Sequence, residues 1–253
     1  MAGDILSFNS SHSLAPTIPI LAFMVFQGMF AAVTLAITYG AVAERLRIFP
    51  FIVFALIWST LVYDVICYWT WSPSGWLFKL GVMDFAGGLV VHLNAGMSGL
   101  ALALTVGNRR EANITPHSLP LVTVGTVLLW FGWAFFNGGS TYSINSRALL
   151  AFFNTLLAGA VGGISWILFD YRIHKKFTSL GFCSGVIAGL VCVTPGSGYT
   201  YPHYALIFGV LGSIGANLSC FIKSKFGYDD TMDTLPVHGV AGAVRRVISL
   251  NLF

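Results

Sequence analysis

Stretches of predominantly apolar residues about 20 long recur along this chain, and that is the length a helix needs to cross the hydrocarbon core of a bilayer. They fall at 17–39, 49–68, 86–106, 117–137, 147–169, 179–194, 203–222 and 236–250. Seven read as crossings on length and composition, although the sixth is a little short; the eighth is weakly apolar. In lipid a backbone must satisfy its own N–H and C=O groups, so such stretches form helices. The chain is 56% hydrophobic and 9% charged, where a soluble domain carries about 25% charged residues. The short connections leave no room for an extramembrane enzyme domain. The expected fold class is all-α integral membrane, a polytopic helix bundle of about eight transmembrane helices.

The connections alternate in charge. Segments 43–47, 107–111, 170–176 and 223–225 hold nine Lys and Arg, whereas 69–83, 138–147 and 195–202 hold only Lys79 and Arg147. Basic loops stay on the cytoplasmic side, so the first group is expected inside and residues 1–16 outside. The Trp-rich run WTWSPSGW at 69–76 suits an outer interface. The net charge of +4 lies between apolar spans and is no nucleic-acid signal. The opening MAGDILSFNSSH lacks the basic start and apolar core of a cleavable signal peptide. This orientation leaves Asn9-Ser10-Ser11 as a possible glycan acceptor and excludes Asn113-Ile114-Thr115, which faces the cytoplasm. Cys67, Cys183, Cys192 and Cys220 have no paired spacing and read as small hydrophobes, without a metal or disulfide framework.

A short string occurs twice inside apolar segments. Residues 91–96 read Val-His-Leu-Asn-Ala-Gly and residues 237–242 read Val-His-Gly-Val-Ala-Gly. Five helix steps separate the copies, so the helices bearing them run in opposite directions, as an inverted-topology repeat requires. Gly88, His92 and Gly96 share one face at helical spacing, and small residues there admit a neighbouring backbone. Each His could be a buried polar residue bonded to another helix, but an ionisable group inside a membrane is expensive and marks function by default. His12, His117, His174 and His203 fall in loops or near helix ends and read as solvated or interfacial.

These features resemble the ammonium transporter, methylammonium permease and Rhesus protein family, fungal high-affinity type. The carrying motifs are FQGMFAA (26–32), GAVAERLR (40–47), DFAGGLVVHLNAG (84–96), PHSLP (116–120), FGWAFFNGGS (131–140), CSGVIAGLVCVTPGSGY (183–199) and DDTMDTLPVHGVAG (229–242), with Arg109 downstream of the first His motif. The resemblance implies an eleven-span inverted-repeat fold of which this chain carries spans three to ten, truncated at both ends. Residues 1–16 would then be an extracellular segment, 17–243 a partial ammonium transporter transmembrane domain, and 244–253 an off-pattern end. In that end Arg245 and Arg246 interrupt the last span at about 2.5–3.5 kcal/mol each at mid-membrane.

The resemblance also implies roles. Trp71, Phe26 and Ser140 match an ammonium recruitment site at the outer mouth, although Trp71 alone reads equally as an interfacial anchor. Phe30 and Phe136 match stacked rings that gate the pore. His92 and His238 match the pore-lining pair, where two imidazoles can share one proton while repulsion disfavours protonating both. Asp84 either caps a helix N-terminus or lends its charge to ammonium outside.

The implied activity is ammonium transport for nitrogen utilisation, with ammonia conducted past the histidines. Ammonium, ammonia and methylammonium are the substrates, and no cofactor, metal or nucleic acid is involved. The expected setting is the plasma membrane, as a homotrimer or a mixed trimer with intact subunits. The alternatives are an ammonium sensor that signals without net transport, or an inactive truncated subunit. An intramembrane enzyme is disfavoured, since the histidines lack carboxylate partners for a metal.

Overall fold

In a computed structural model, residues 10–110 and 116–244 are described, and seven helices among them are long and apolar enough to span a bilayer. Asn9, the Asn113-Ile114-Thr115 triplet, and Arg245 and Arg246 lie outside the described residues.

Before the first span the chain forms an antiparallel hairpin, β1 (Ser11–His12) with β2 (Ala15–Pro19). The first span was expected from residue 17, but helix α1 covers Ile20–Gly40. Pro16 and Pro19 explain the shift, because a residue before proline is pushed to extended backbone. This hairpin is a β element that the all-α expectation did not include.

The second span is built from α2 (Ile48–Trp58), a wider π turn π1 (Ser59–Tyr63) and α3 (Asp64–Trp71). It runs beyond the expected end at 68. A single turn, α4 (Trp76–Lys79), follows. The third span opens with a second π turn, π2 (Gly88–Leu93), and continues as α5 (Asn94–Val106). Next come α6 (Leu119–Gly139), α7 (Ser146–His174) and α8 (Ser179–Val193), the last closed by a 3-10 turn at Thr194–Gly196. Helix α9 covers Pro202–Phe226. A third π turn, π3 (Leu235–Val240), leads into a helical segment that reaches Val244, so the eighth apolar segment is described only as Leu235–Val244.

Local chemistry sets these ends. Ser118, Asn145 and Thr178 each accept a backbone N–H of the first turn of α6, α7 and α8, a cap worth about 1 kcal/mol. Lys175 and Gly227 stop α7 and α9 with left-handed backbone at φ 58° and 68°.

Packing rests on close backbone approach, since lipid gives helices little hydrophobic reason to associate. A Cβ on Gly162 of α7 would overlap the Gly185 carbonyl of α8, and one on Gly209 of α9 would fall 2.7 Å from the Ala158 carbonyl of α7. Around these contacts Trp133, Trp166, Val186, Leu190 and Phe208 form the main buried cluster. Helices α1, α2 and α6 instead leave large apolar side chains outward, among them Met29, Leu56 and Phe131, as a lipid-facing or helix-facing surface does.

Candidate functional site

The two histidines predicted from the repeated string meet. His92 Nδ1 lies 3.2 Å from His238 Nδ1, with ring centroids 5.3 Å apart and planes 22° from parallel. The other face of His92 stacks on Trp133 at 4.9 Å. Trp133 is held by its indole N–H, which donates to Thr194 Oγ1 at 2.8 Å, and that hydroxyl donates to the Leu190 carbonyl. Only one proton fits between two Nδ1 atoms at hydrogen-bond distance. One neutral ring therefore carries its proton on Nδ1 and the other on Nε2, so the two Nε2 atoms offer one acceptor and one donor. His92 Nε2 is buried with no partner among the described residues.

Glycines let the rings approach. A Cβ on Gly96 would overlap Gly239, and one on Gly242 would press on the Gly88 carbonyl at 3.2 Å and on His92 Cβ at 3.5 Å. The expected small-residue face is real, but each His sits on a π turn and not on a regular α-helical one. Carboxylates cap both turns. Asp84 Oδ1 accepts the N–H groups of Gly87 and Gly88, and its Oδ2 those of Leu89 and Val90, at 2.6–3.0 Å. Asp230 accepts those of Thr234 and Leu235 at 2.9 and 2.8 Å.

At one end of the bundle a cavity of about 400 Å³ is lined by Gln27, Phe30, Trp71, Asp84, Ser140 and Tyr142, among others. Rings connect it to the histidines without a break. Trp71 meets Phe30 at 5.3 Å, Phe30 meets Phe136 at 5.3 Å, Phe136 meets Trp133 at 5.6 Å, and Trp133 covers His92. The Phe30–Phe136 contact is edge-to-face at 81°, where the resemblance implied stacked rings. An edge-to-face pair is a preferred aromatic geometry, because one ring's positive rim meets the other's negative face.

A family model described as Ammonium Transporter Family matches residues 2–251 of the chain. This chain belongs to the ammonium transporter family. It is 45% identical to Ammonium transporter 1 of Schizosaccharomyces pombe over 98% of this chain and 52% of that protein. The crystal structure of Saccharomyces cerevisiae Mep2 superposes with a TM-score of 0.88 at 45% identity, covering 93% of this chain and 55% of Mep2. A structure described as a sensor Amt protein superposes at 0.84 with 34% identity, covering 88% of this chain and 59% of that one. The chain thus spans about half the length of the curated relatives it matches.

Among the residues that the family resemblance singled out, the structure brings His92, His238, Phe30, Phe136 and Trp71 into one line and sets Ser140 and Asp84 in the cavity wall. Phe26 stands behind that wall, against Phe30 at 5.0 Å and Tyr142 at 5.7 Å. Trp71 is fixed by its indole N–H, which donates to the Asp84 carbonyl at 2.8 Å. Three contributors were not anticipated. Asp230 had a signal, since it precedes His238 by the same eight positions that separate Asp84 from His92. Trp133 lay within the FGWAFFNGGS motif without being singled out there, and Tyr142 had no signal, for nothing local distinguishes it from other buried aromatics.

Arg109, flagged with the first His motif, works at the opposite end. Its backbone N–H and Nε donate to Asp229 Oδ2 at 2.8 and 2.6 Å, and its Nη2 reaches Oδ1. Arg45 Nη1 pairs with the same carboxylate at 2.6 Å. The Arg109 hydrogen bond, aided by Arg45, holds the Asp229 carboxyl well below the usual carboxylate range. This cluster ties the connections after α1 and α5 to the loop that bears the Asp230 cap.

Proposed function

We propose that the protein carrying this chain transports ammonium across the plasma membrane, with the cavity end outward and the Arg45–Arg109–Asp229 end in the cytoplasm. The observation that carries the reading is the unbroken run of rings from Trp71 to the buried His92–His238 pair. In the cavity an ammonium ion over an aromatic face gains about 0.5–2 kcal/mol, more when dehydrated. Ser140 Oγ donates to the Phe136 carbonyl at 2.9 Å, which leaves its lone pairs to accept an ammonium N–H. Asp84 spends its carboxylate on four backbone amides and contributes charge to the wall.

Past the Phe30–Phe136 contact a bare cation loses several kcal/mol of hydration. Neutral ammonia does not, and the histidine pair offers it one donor and one acceptor. Ammonium therefore passes its proton to water in the open mouth, or along to the histidine pair, and ammonia passes the pair. A trimer of such subunits, or a mixed trimer with longer ones, is the proposed assembly. The test is growth on low ammonium of a yeast strain lacking its own permeases. Rescue by this chain, lost on His92→Ala with the protein still in the membrane, supports transport; rescue that survives that substitution contradicts the path. Ammonium sensing is the second reading, favoured by the similarity to the sensor Amt protein. It predicts ammonium-dependent signalling without uptake.

A further inference from the structure

We propose that Gln27, held in place by Tyr142, supplies a further hydrogen-bond acceptor beside Ser140 in the mouth cavity and sets its preference for ammonium over heavily methylated amines. The inference rests on the reading that this cavity takes ammonium. On α1, Phe23, Gln27 and Phe30 recur at i, i+4 and i+7, one face of a helix, and all three line the cavity. Ammonium presents four N–H donors. Of the cavity's side-chain oxygens, Ser140 Oγ accepts, Thr70 Oγ1 is buried in the wall without a partner among the described residues, and the Asp84 carboxylate is already committed to four backbone amides. Rings serve the cation's charge without giving its remaining N–H groups directed partners.

Gln27 Nε2 donates to the Tyr142 hydroxyl at 2.9 Å. With that nitrogen engaged, the amide's Oε1 is its free acceptor. Gln27 is half-buried in the cavity wall, and its side-chain hydrogen bond engages Nε2 alone, so no described residue takes up Oε1. A neutral carbonyl suits a cation that must bind and then leave.

The anchor is unusual. Tyr142 has left-handed backbone at φ 55°, a conformation that non-glycine residues keep only where surrounding contacts impose it. Thr17 Oγ1 of the β hairpin donates to the Tyr142 carbonyl at 2.6 Å, and its ring packs edge-on against Phe23 and Phe26. Hairpin, α1 and the turn after α6 thus converge to hold one phenol against one amide. Gln27 is the binding residue and Tyr142 the positioning residue.

The Ser140 and Gln27 oxygens together discriminate by counting N–H groups. Ammonium and methylammonium serve both, whereas trimethylammonium has one N–H and leaves one oxygen unpaired, and a site built to hydrogen-bond rejects a ligand lacking the bond. The experiment measures inhibition of labelled methylammonium uptake by ammonium and by trimethylammonium, in permease-deficient yeast expressing this chain. Gln27→Leu is expected to raise the inhibitory ammonium concentration about tenfold and to leave that of trimethylammonium within about twofold. Gln27→Glu, which keeps an acceptor, restores ammonium affinity, and Tyr142→Phe gives a smaller rise than Gln27→Leu. Equal shifts for both amines, or none, overturn the proposal.

Ammonium titration of the purified chain in detergent, followed by tryptophan fluorescence, asks the same question without transport: binding weakened by Gln27→Leu supports the proposal, and unchanged binding overturns it. Wild-type chain that neither takes up methylammonium nor binds ammonium, alone or joined to the remaining half of a relative, contradicts the functional reading itself. Wild-type uptake with Gln27→Leu unaltered contradicts only this inference.

Discussion

His92 and His238 meet Nδ1 to Nδ1 at 3.2 Å, and each follows by eight residues an aspartate whose carboxylate caps the π turn that carries it. The two halves of the site therefore share a device as well as a string of letters. A π turn widens the helix and leaves first-turn amides without intrahelical partners; a buried carboxylate answers them and fixes where the ring projects.

Asp84→Ala should lower stability by about 2 kcal/mol or more, because four backbone amides lose a charged acceptor. Asp84→Asn should cost less, since one side-chain oxygen remains. Asp230→Ala should fall below Asp84→Ala, as its carboxylate accepts two backbone amides. Thermal unfolding of the purified protein in detergent ranks the three. A reversed order would show that the caps do not set the local stability.

Gly96 and Gly125 make a controlled pair. A methyl group on Gly96 runs into the Gly239 backbone beside His238, whereas one on Gly125 meets nothing within 4 Å. Gly96→Ala should destabilise by about 1–3 kcal/mol and disturb the histidine contact. Gly125→Ala should stabilise α6 by about 0.5–1 kcal/mol. Unfolding midpoints of both variants decide the matter, and a harmless Gly96→Ala would refute the close packing.

The Asp229 carboxyl, held low chiefly by its hydrogen bond with Arg109, gives a signed pH effect. A depressed folded-state pKa contributes stability that is whole above the unfolded value of about 4 and fades as pH falls below it. Wild type should therefore exceed Asp229→Asn in unfolding temperature at pH 7, with the gap narrowing as pH drops from about 5 to 3. A gap constant over that range would mean that the loop cluster draws nothing from the ionised carboxylate.

What could be read in the sequence follows from which signals are local. The apolar runs and the alternation of basic loops are properties of single segments, and the seven membrane-length helices overlie the first seven expected spans, the second and fifth running on well past their expected ends. His92 and His238 stood out because an ionisable residue in an apolar run is conspicuous alone and more so when repeated. The π turns were not legible, since Gly88–Leu93 reads as ordinary helix in its letters. Trp133 could not be told from other aromatics before folding brought it onto His92, and Tyr142 owes its place to contacts with Thr17 and Gln27, each more than 100 residues away in the chain. Pro16 and Pro19 were visible, but their effect was outweighed by the apolar average of the first span.

Labelled methylammonium uptake in permease-deficient yeast tests the central claim most directly, comparing this chain and its His92→Ala and His238→Ala variants at equal membrane levels. The account predicts saturable uptake by the unaltered chain, or by the chain joined to the remaining half of a relative, and its loss in both variants. Uptake that persists when either histidine is removed, or that is absent from both unaltered forms although they reach the membrane, would contradict it.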